Sequence, residues 1–128
     1  MAWQLADELR SRIVAVTARP PASRDERFSA HIRESAASAS ANLAEGFCRY
    51  SHREFARFVS IARASLAETQ ARLTDGFDRR YLTGEEHREL ASLANRGMIA
   101  VTRLHTYLRT HPDPDFTTPR SAPSEPRS

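Results

Sequence analysis

Arg49, Arg53 and Arg57 recur at intervals of four, so a helix running through all three would stack them along one face. His52 lies beside them, Arg63 falls near the same side, and Tyr50 follows Arg49 directly. Guanidinium forks hold phosphate oxygens bidentately. A basic strip with an aromatic ring beside it suits a nucleic-acid backbone, with the ring stacking on a base. That chemistry is binding rather than bond-making. The same strip also reads as a solvated face, paired with Glu54 and with acids from neighbouring helices. Like charges at this spacing repel mildly, so an anionic partner would relieve a small cost.

Ser38, Asn42 and Glu45 follow one another at spacings of four and three, which predicts a polar seam inside a helical assembly. Glu45 is also four residues from Arg49, the spacing of an intrahelical ion pair. As a catalytic carboxylate it would need a second placed group, and no such group stands out. The histidines, at 31, 52, 87, 105 and 111, include no pair four apart and no His-Glu-x-x-His, so no metal site is expected. The four glycines, at 46, 76, 84 and 97, form no phosphate loop. Cys48, the only cysteine, has no internal disulfide partner and is expected to be a buried, inert thiol. These readings point away from an enzyme and call for no cofactor.

The 128 residues are 40 % hydrophobic and 27 % charged, an ordinary balance for one domain with a real core. The net charge is +3, and all nineteen basic residues are arginine, which stays charged when partly buried. No run is apolar enough to span a membrane. The first ten residues mix charges among their apolar side chains, without a signal-peptide core, which predicts a cytoplasmic protein.

The elements that would position these residues are helical. Five of the seven prolines fall within 112–128, predicting a disordered tail, and Pro20 and Pro21 break the chain early. Between the breakers, four apolar stripes have helical period: Ala6, Leu9, Ile13 and Val16; Phe28 to Phe47 through Ile32, Ala36, Ala39 and Leu43; Phe55 to Leu73 through Phe58, Ala62, Leu66 and Thr69; and Leu90 to Leu108 through Ala94, Met98, Val101 and Leu104. Ser23-Arg-Asp-Glu26, Ser51-His-Arg-Glu54 and Thr83-Gly-Glu-Glu86 each fit the capping box. The spacing thus predicts helices over about 2–18, 24–46, 52–75 and 84–110. Gly46 is expected to stop the second helix, and Gly76 with the charged cluster after it the third. Short loops favour antiparallel neighbours, giving an all-α, up-down-up-down four-helix bundle over 1–111. The nearly all Ala and Ser stretch from Ser35 to Ala44 predicts close helix packing. Gly97, unfavourable inside a helix, suggests a close approach by another one. Trp3, Leu5, Val14, Val59, Leu93 and Ile99 lie off the stripes; scattered exposed apolar residues are ordinary, whereas a contiguous second apolar face would mark a subunit interface.

Residues 25–68 carry a further signal. Asp25, Glu26, Arg27 and Phe28, then Ile32, Arg33 and Ala36, precede Ser38, Asn42, Leu43, Ala44, Glu45 and Gly46. Arg49, Ser51, Glu54, Phe55, Arg57 and Phe58 follow, and then Ala62, Ser65, Leu66 and Glu68. This series resembles the signature of the 23S rRNA intervening-sequence proteins, also called four-helix bundle proteins, and the resemblance covers about residues 5 to 110. Three positions depart from it: Ser40 stands for a proline, Ala64 for a glycine and Thr69 for a leucine. The resemblance implies an antiparallel four-helix bundle assembled into a homopentameric ring, with Asn42, Glu45, Gly46, Glu54, Phe55, Phe58, Ser65 and Glu68 as motif positions. The family's biochemical role is poorly defined. Some members are encoded inside insertions in 23S rRNA genes. A related group, the accessory variability determinants of diversity-generating retroelements, binds nucleic acid and a reverse transcriptase through a basic pentameric barrel. The expectation is therefore a non-enzymatic, oligomeric module that binds RNA or DNA through Arg49, Tyr50, His52, Arg53, Arg57 and Arg63. The alternative is a scaffold for a protein partner such as a reverse transcriptase, without nucleic-acid contact.

Overall fold

The computed structural model describes residues 1–113; most of the expected tail, 114–128, lies outside the described residues. The described chain forms four α-helices: α1 (Ala2–Thr17), α2 (Glu26–Phe47), α3 (His52–Asp78) and α4 (Gly84–Thr110). A short 3-10 turn, Ala22–Arg24, joins α1 to α2, and no strand occurs among the described residues. Each helix packs on its neighbour in sequence, and α1 also packs on α4, so the four enclose one core.

The apolar stripes supply that core. Leu9, Ile13, Ile32, Leu43, Leu66, Leu73, Leu90 and Val101 are almost wholly buried, together with Ala36, Ala39, Ala62 and Ala94. Burying a leucine or valine side chain contributes roughly 1.5–3 kcal/mol. Tertiary burial of these stripes, rather than helix propensity, therefore holds the helices. Phe47 leaves its stripe: it is 54 % exposed, with its ring 4.9 Å from that of Phe55. Of the six residues off the stripes, Leu5, Val59 and Leu93 are buried inside the four helices, whereas Trp3, Val14 and Ile99 are exposed. A second apolar face is thus reduced to half its candidate members, because the core wraps further around α1, α3 and α4 than a narrow stripe.

The helix starts follow local chemistry at two of three places. Thr83 and Glu86 form a reciprocal capping box at α4. At α3 the Ser51 hydroxyl accepts from the Glu54 amide at 3.0 Å. Ser23 does not cap α2. It lies in the 3-10 turn, and Asp25 caps instead, accepting from the Phe28 amide at 3.1 Å. Asp25 is favoured because Tyr81 donates to its other oxygen at 2.6 Å and Arg79 lies 3.4 Å away. The Tyr81 hydrogen bond, with the Phe28 amide and Arg79, holds the Asp25 carboxyl below its usual range, and the same bond pushes the Tyr81 hydroxyl up.

Two glycines expected as helix stops lie in the last turn of their helices rather than beyond it. Gly46 lies inside α2, where a Cβ would come within 2.7 Å of the Phe55 ring and 3.2 Å of Phe58 Cβ. Gly76 lies inside α3, where a Cβ would meet the Phe28 ring at 2.7 Å. The left-handed residue that ends α3 is Arg80, at φ 63°. The Tyr81 amide bonds back to the Gly76 carbonyl and the Arg80 amide to Phe77, which makes a Schellman stop.

Candidate nucleic-acid interface

The small residues of α2 bring α3 into hydroxyl-to-hydroxyl contact. Ser38 Oγ lies 2.7 Å from Ser65 Oγ, and the Asn42 amide donates to the Ser38 carbonyl at 2.8 Å and to its hydroxyl at 3.1 Å. Buried Thr69 of α3 places its hydroxyl 2.9 Å from the Oγ of Ser35, one turn before Ser38 on α2, and 2.8 Å from the Ser65 carbonyl. Ser35 Oγ in turn lies 3.1 Å from the Ile32 carbonyl. The leucine-to-threonine departure at 69 is therefore matched by Ser35, and its buried hydroxyl has partners, as burial requires. Glu45 is not part of this seam. It is exposed and pairs with Arg49.

That pairing breaks the expected arginine strip. Arg49 lies in the link between α2 and α3, not on α3, and its guanidinium covers one side of the Phe58 ring at 4.8 Å. Arg57 approaches the same ring at 5.2 Å. Arg63 is exposed further along α3, and Tyr50 is fully exposed in the link, at 99 %. Cys48, expected to be buried, is exposed beside it, because α2 ends one residue earlier and the link runs over the surface. Glu54 is exposed and makes no ion pair with these arginines among the described residues, while Glu68 pairs with Arg72. Phe55 and Phe58 are half-buried around Gly46.

Arg53 and Arg57 instead share an open cleft of about 800 Å³ between α3 and α4. Positions 53, 56, 57, 60 and 61 form one face of α3, and positions 105, 108 and 109 face them from α4. The floor is apolar, from Ala56, Ile61 and Leu108; Arg53, Arg57 and Arg109 are exposed at its rim. His105 was not expected in any site, nor was Arg109. Both are visible in the sequence as a pair four apart on α4, but only the register of α4 against α3 reveals which face they meet.

One end of the cleft is closed by the chain leaving α4. Asp113 accepts from the His52 backbone amide at 2.6 Å, and the His52 ring donates from Nδ1 to the His111 carbonyl at 2.6 Å. Asp113 thereby caps the positive end of α3. The three cleft arginines face this one carboxylate, which is already engaged, and none of them has an ion-pair partner among the described residues. The described residues contain no group of three or more His, Cys, Asp or Glu side chains placed to hold a metal ion. No helix among them is long and apolar enough to cross a membrane. The arrangement is suited to holding an anion with an apolar or flat portion.

Comparison with known proteins agrees with this architecture. The family model described as 23S rRNA-intervening sequence protein matches residues 1–100, and the chain belongs to that family. A crystal structure of a protein of unknown function from the S23 ribosomal protein family of Bacteroides thetaiotaomicron superposes with a TM-score of 0.71 at 18 % identity. The match covers 82 % of this chain and 98 % of that one. At that identity the likeness concerns the fold. A search of curated protein sequences finds no match.

Proposed function

We propose that this protein is a non-enzymatic helical module that assembles with copies of itself and holds RNA or DNA by charge and shape. The observation that carries the reading is the set Arg53, Arg57 and Arg109 around one cleft without ion-pair partners among the described residues. Three guanidiniums on one rim repel, and phosphates relieve that repulsion while releasing counterions. Tyr50, fully exposed beside Arg49, offers a ring on which a base stacks, and Arg63 extends the positive surface along α3.

The helix order within this reading is up-down-up-down. Phe28 meets Gly76 while Gly46 meets Phe55, His52 meets Asp113 while Phe77 stacks on His87, and Arg19 pairs with Glu86 while Leu5 approaches Gly97. In the α2–α3 and α3–α4 contacts an early residue of one helix meets a late residue, or the exit, of its neighbour, and Ser40 in the second half of α2 donates to Asp7 in the first half of α1 at 3.2 Å, which supports antiparallel packing. The assembly is a homopentameric ring, a reading supported by family membership. Trp3, Val14 and Ile99, exposed in the single chain, are the apolar residues that neighbouring subunits would cover. A second reading, a scaffold for a protein partner, draws on Met1, Trp3 and Phe47, which are exposed and line a shared hollow at one end.

Arg53→Gln with Arg57→Gln tests the first reading. Removing two phosphate contacts is expected to weaken nucleic-acid binding across sequences and to flatten the dependence of log affinity on log salt by about one per arginine. Unchanged affinity and slope in a folded variant would remove the cleft as the site and favour the scaffold.

A further inference from the structure

The cleft between α3 and α4 has more in it than charge. A purely electrostatic duplex binder needs only a basic rim, because a duplex presents phosphates and hides its base faces. Here the arginine rim surrounds a concave apolar floor. Ile61 in that lining is 40 % exposed, an apolar surface open beside three arginines. His52 and His105 add flat imidazoles to the walls, and imidazole rings and guanidinium planes both stack on bases. The volume, about 800 Å³, lies within the range of pockets that take small organic groups, so a base with its sugar fits.

We infer that this cleft takes the unstacked base of a single-stranded nucleic acid, with the flanking phosphates held by Arg53, Arg57 and Arg109. The inference rests on the nucleic-acid reading above and narrows it from any nucleic acid to strands whose bases can turn out. Charge complementarity selects the occupant: a polyanion with an apolar, planar unit between its charges matches a cationic rim around an apolar floor. Recognition is by stacking and burial of the base face, so it is tolerant of sequence.

Fluorescence anisotropy with the full-length protein tests this using three labelled probes of about a dozen nucleotides: a single strand of mixed sequence, the same strand made abasic, and the corresponding duplex. The expected result is that the single strand binds at least about tenfold more tightly than either of the others. Ile61→Asn, which removes apolar floor without altering charge, is expected to bring the single strand down to the abasic level. Equal binding of all three probes, each with a steep salt dependence, would overturn the base pocket and leave the nucleic-acid reading standing. Absence of binding by all three at low salt would overturn both. Tyr50→Ala, outside the cleft, is expected to leave the preference for the single strand over its abasic form in place, which assigns that preference to the cleft even where Ile61→Asn fails to fold; loss of the preference in Tyr50→Ala would overturn the cleft as the base site.

Discussion

Glu86 shows how much a single side chain carries here. It is the third residue of α4, reaches back to the Thr83 amide at 2.9 Å, and takes the guanidinium of Arg19, in the link after α1, at 2.5 Å. The Arg19 bond foremost, then the Thr83 amide, lowers its carboxyl from 4.5 to about 2. The folded state therefore binds this proton less readily than the unfolded chain. The stabilisation is complete above about pH 4.5 and is lost as pH falls toward 2. Thermal melts from pH 6 down to about 2 are expected to fall more steeply for the natural protein than for Glu86→Gln, with the two curves converging at the acid end. Parallel curves would show that the pair adds nothing, as is common for solvated ion pairs. The capping half of this arrangement was legible in the order Thr83-Gly-Glu-Glu86, because capping is local chemistry. Its Arg19 half was not, since it joins residues 67 apart in sequence. The same distinction explains Ser23, where the motif was present but Asp25 prevailed through Tyr81 and Arg79, two residues from the opposite connection.

At the scale of elements, two helical glycines, Gly97 in the middle of α4 and Gly46 in the last turn of α2, separate close packing from mere tolerance. Helix propensity alone favours alanine over glycine by roughly 1 kcal/mol at either site. At Gly97 a Cβ would meet Leu66 Cδ1 at 3.7 Å and Leu5 Cβ at 3.9 Å, ordinary contacts. Gly97→Ala is expected to stabilise α4 by about 1 kcal/mol in denaturant unfolding. At Gly46 the Cβ would collide with Phe55 and crowd Phe58, a strain of about 1–3 kcal/mol that outweighs propensity. Gly46→Ala is expected to destabilise by about 1 kcal/mol. The same sign for both variants would mean that the Phe55 ring moves aside freely, or that Leu66 and Leu5 leave the added methyl at Gly97 no room. The four helices were legible from the period of their apolar residues. The role of Gly46 was not, because a glycine just before a helix start reads equally as a stop, and only the approach of Phe55 from α3 distinguishes the two. The arginine strip failed for a related reason. Spacing of four implies a shared face only within one helix, and the link 48–51 separates Arg49 from Arg53 and Arg57. Arg109 and His105 completed the cleft from α4 through tertiary register, which no local pattern records.

At the scale of the whole molecule, an arginine cleft without ion-pair partners among the described residues, an exposed tyrosine and leftover apolar surface sit on a helical fold of the 23S rRNA-intervening sequence protein family. The central claim is that copies of this chain form a basic ring that holds nucleic acid. The most direct test is light scattering on the protein purified without nuclease, with absorbance read at the protein and nucleic-acid bands, at low and then high salt. The account predicts a mass near five chains that carries nucleic acid at low salt and releases it at high salt. A monomer without nucleic acid at either salt concentration would contradict it.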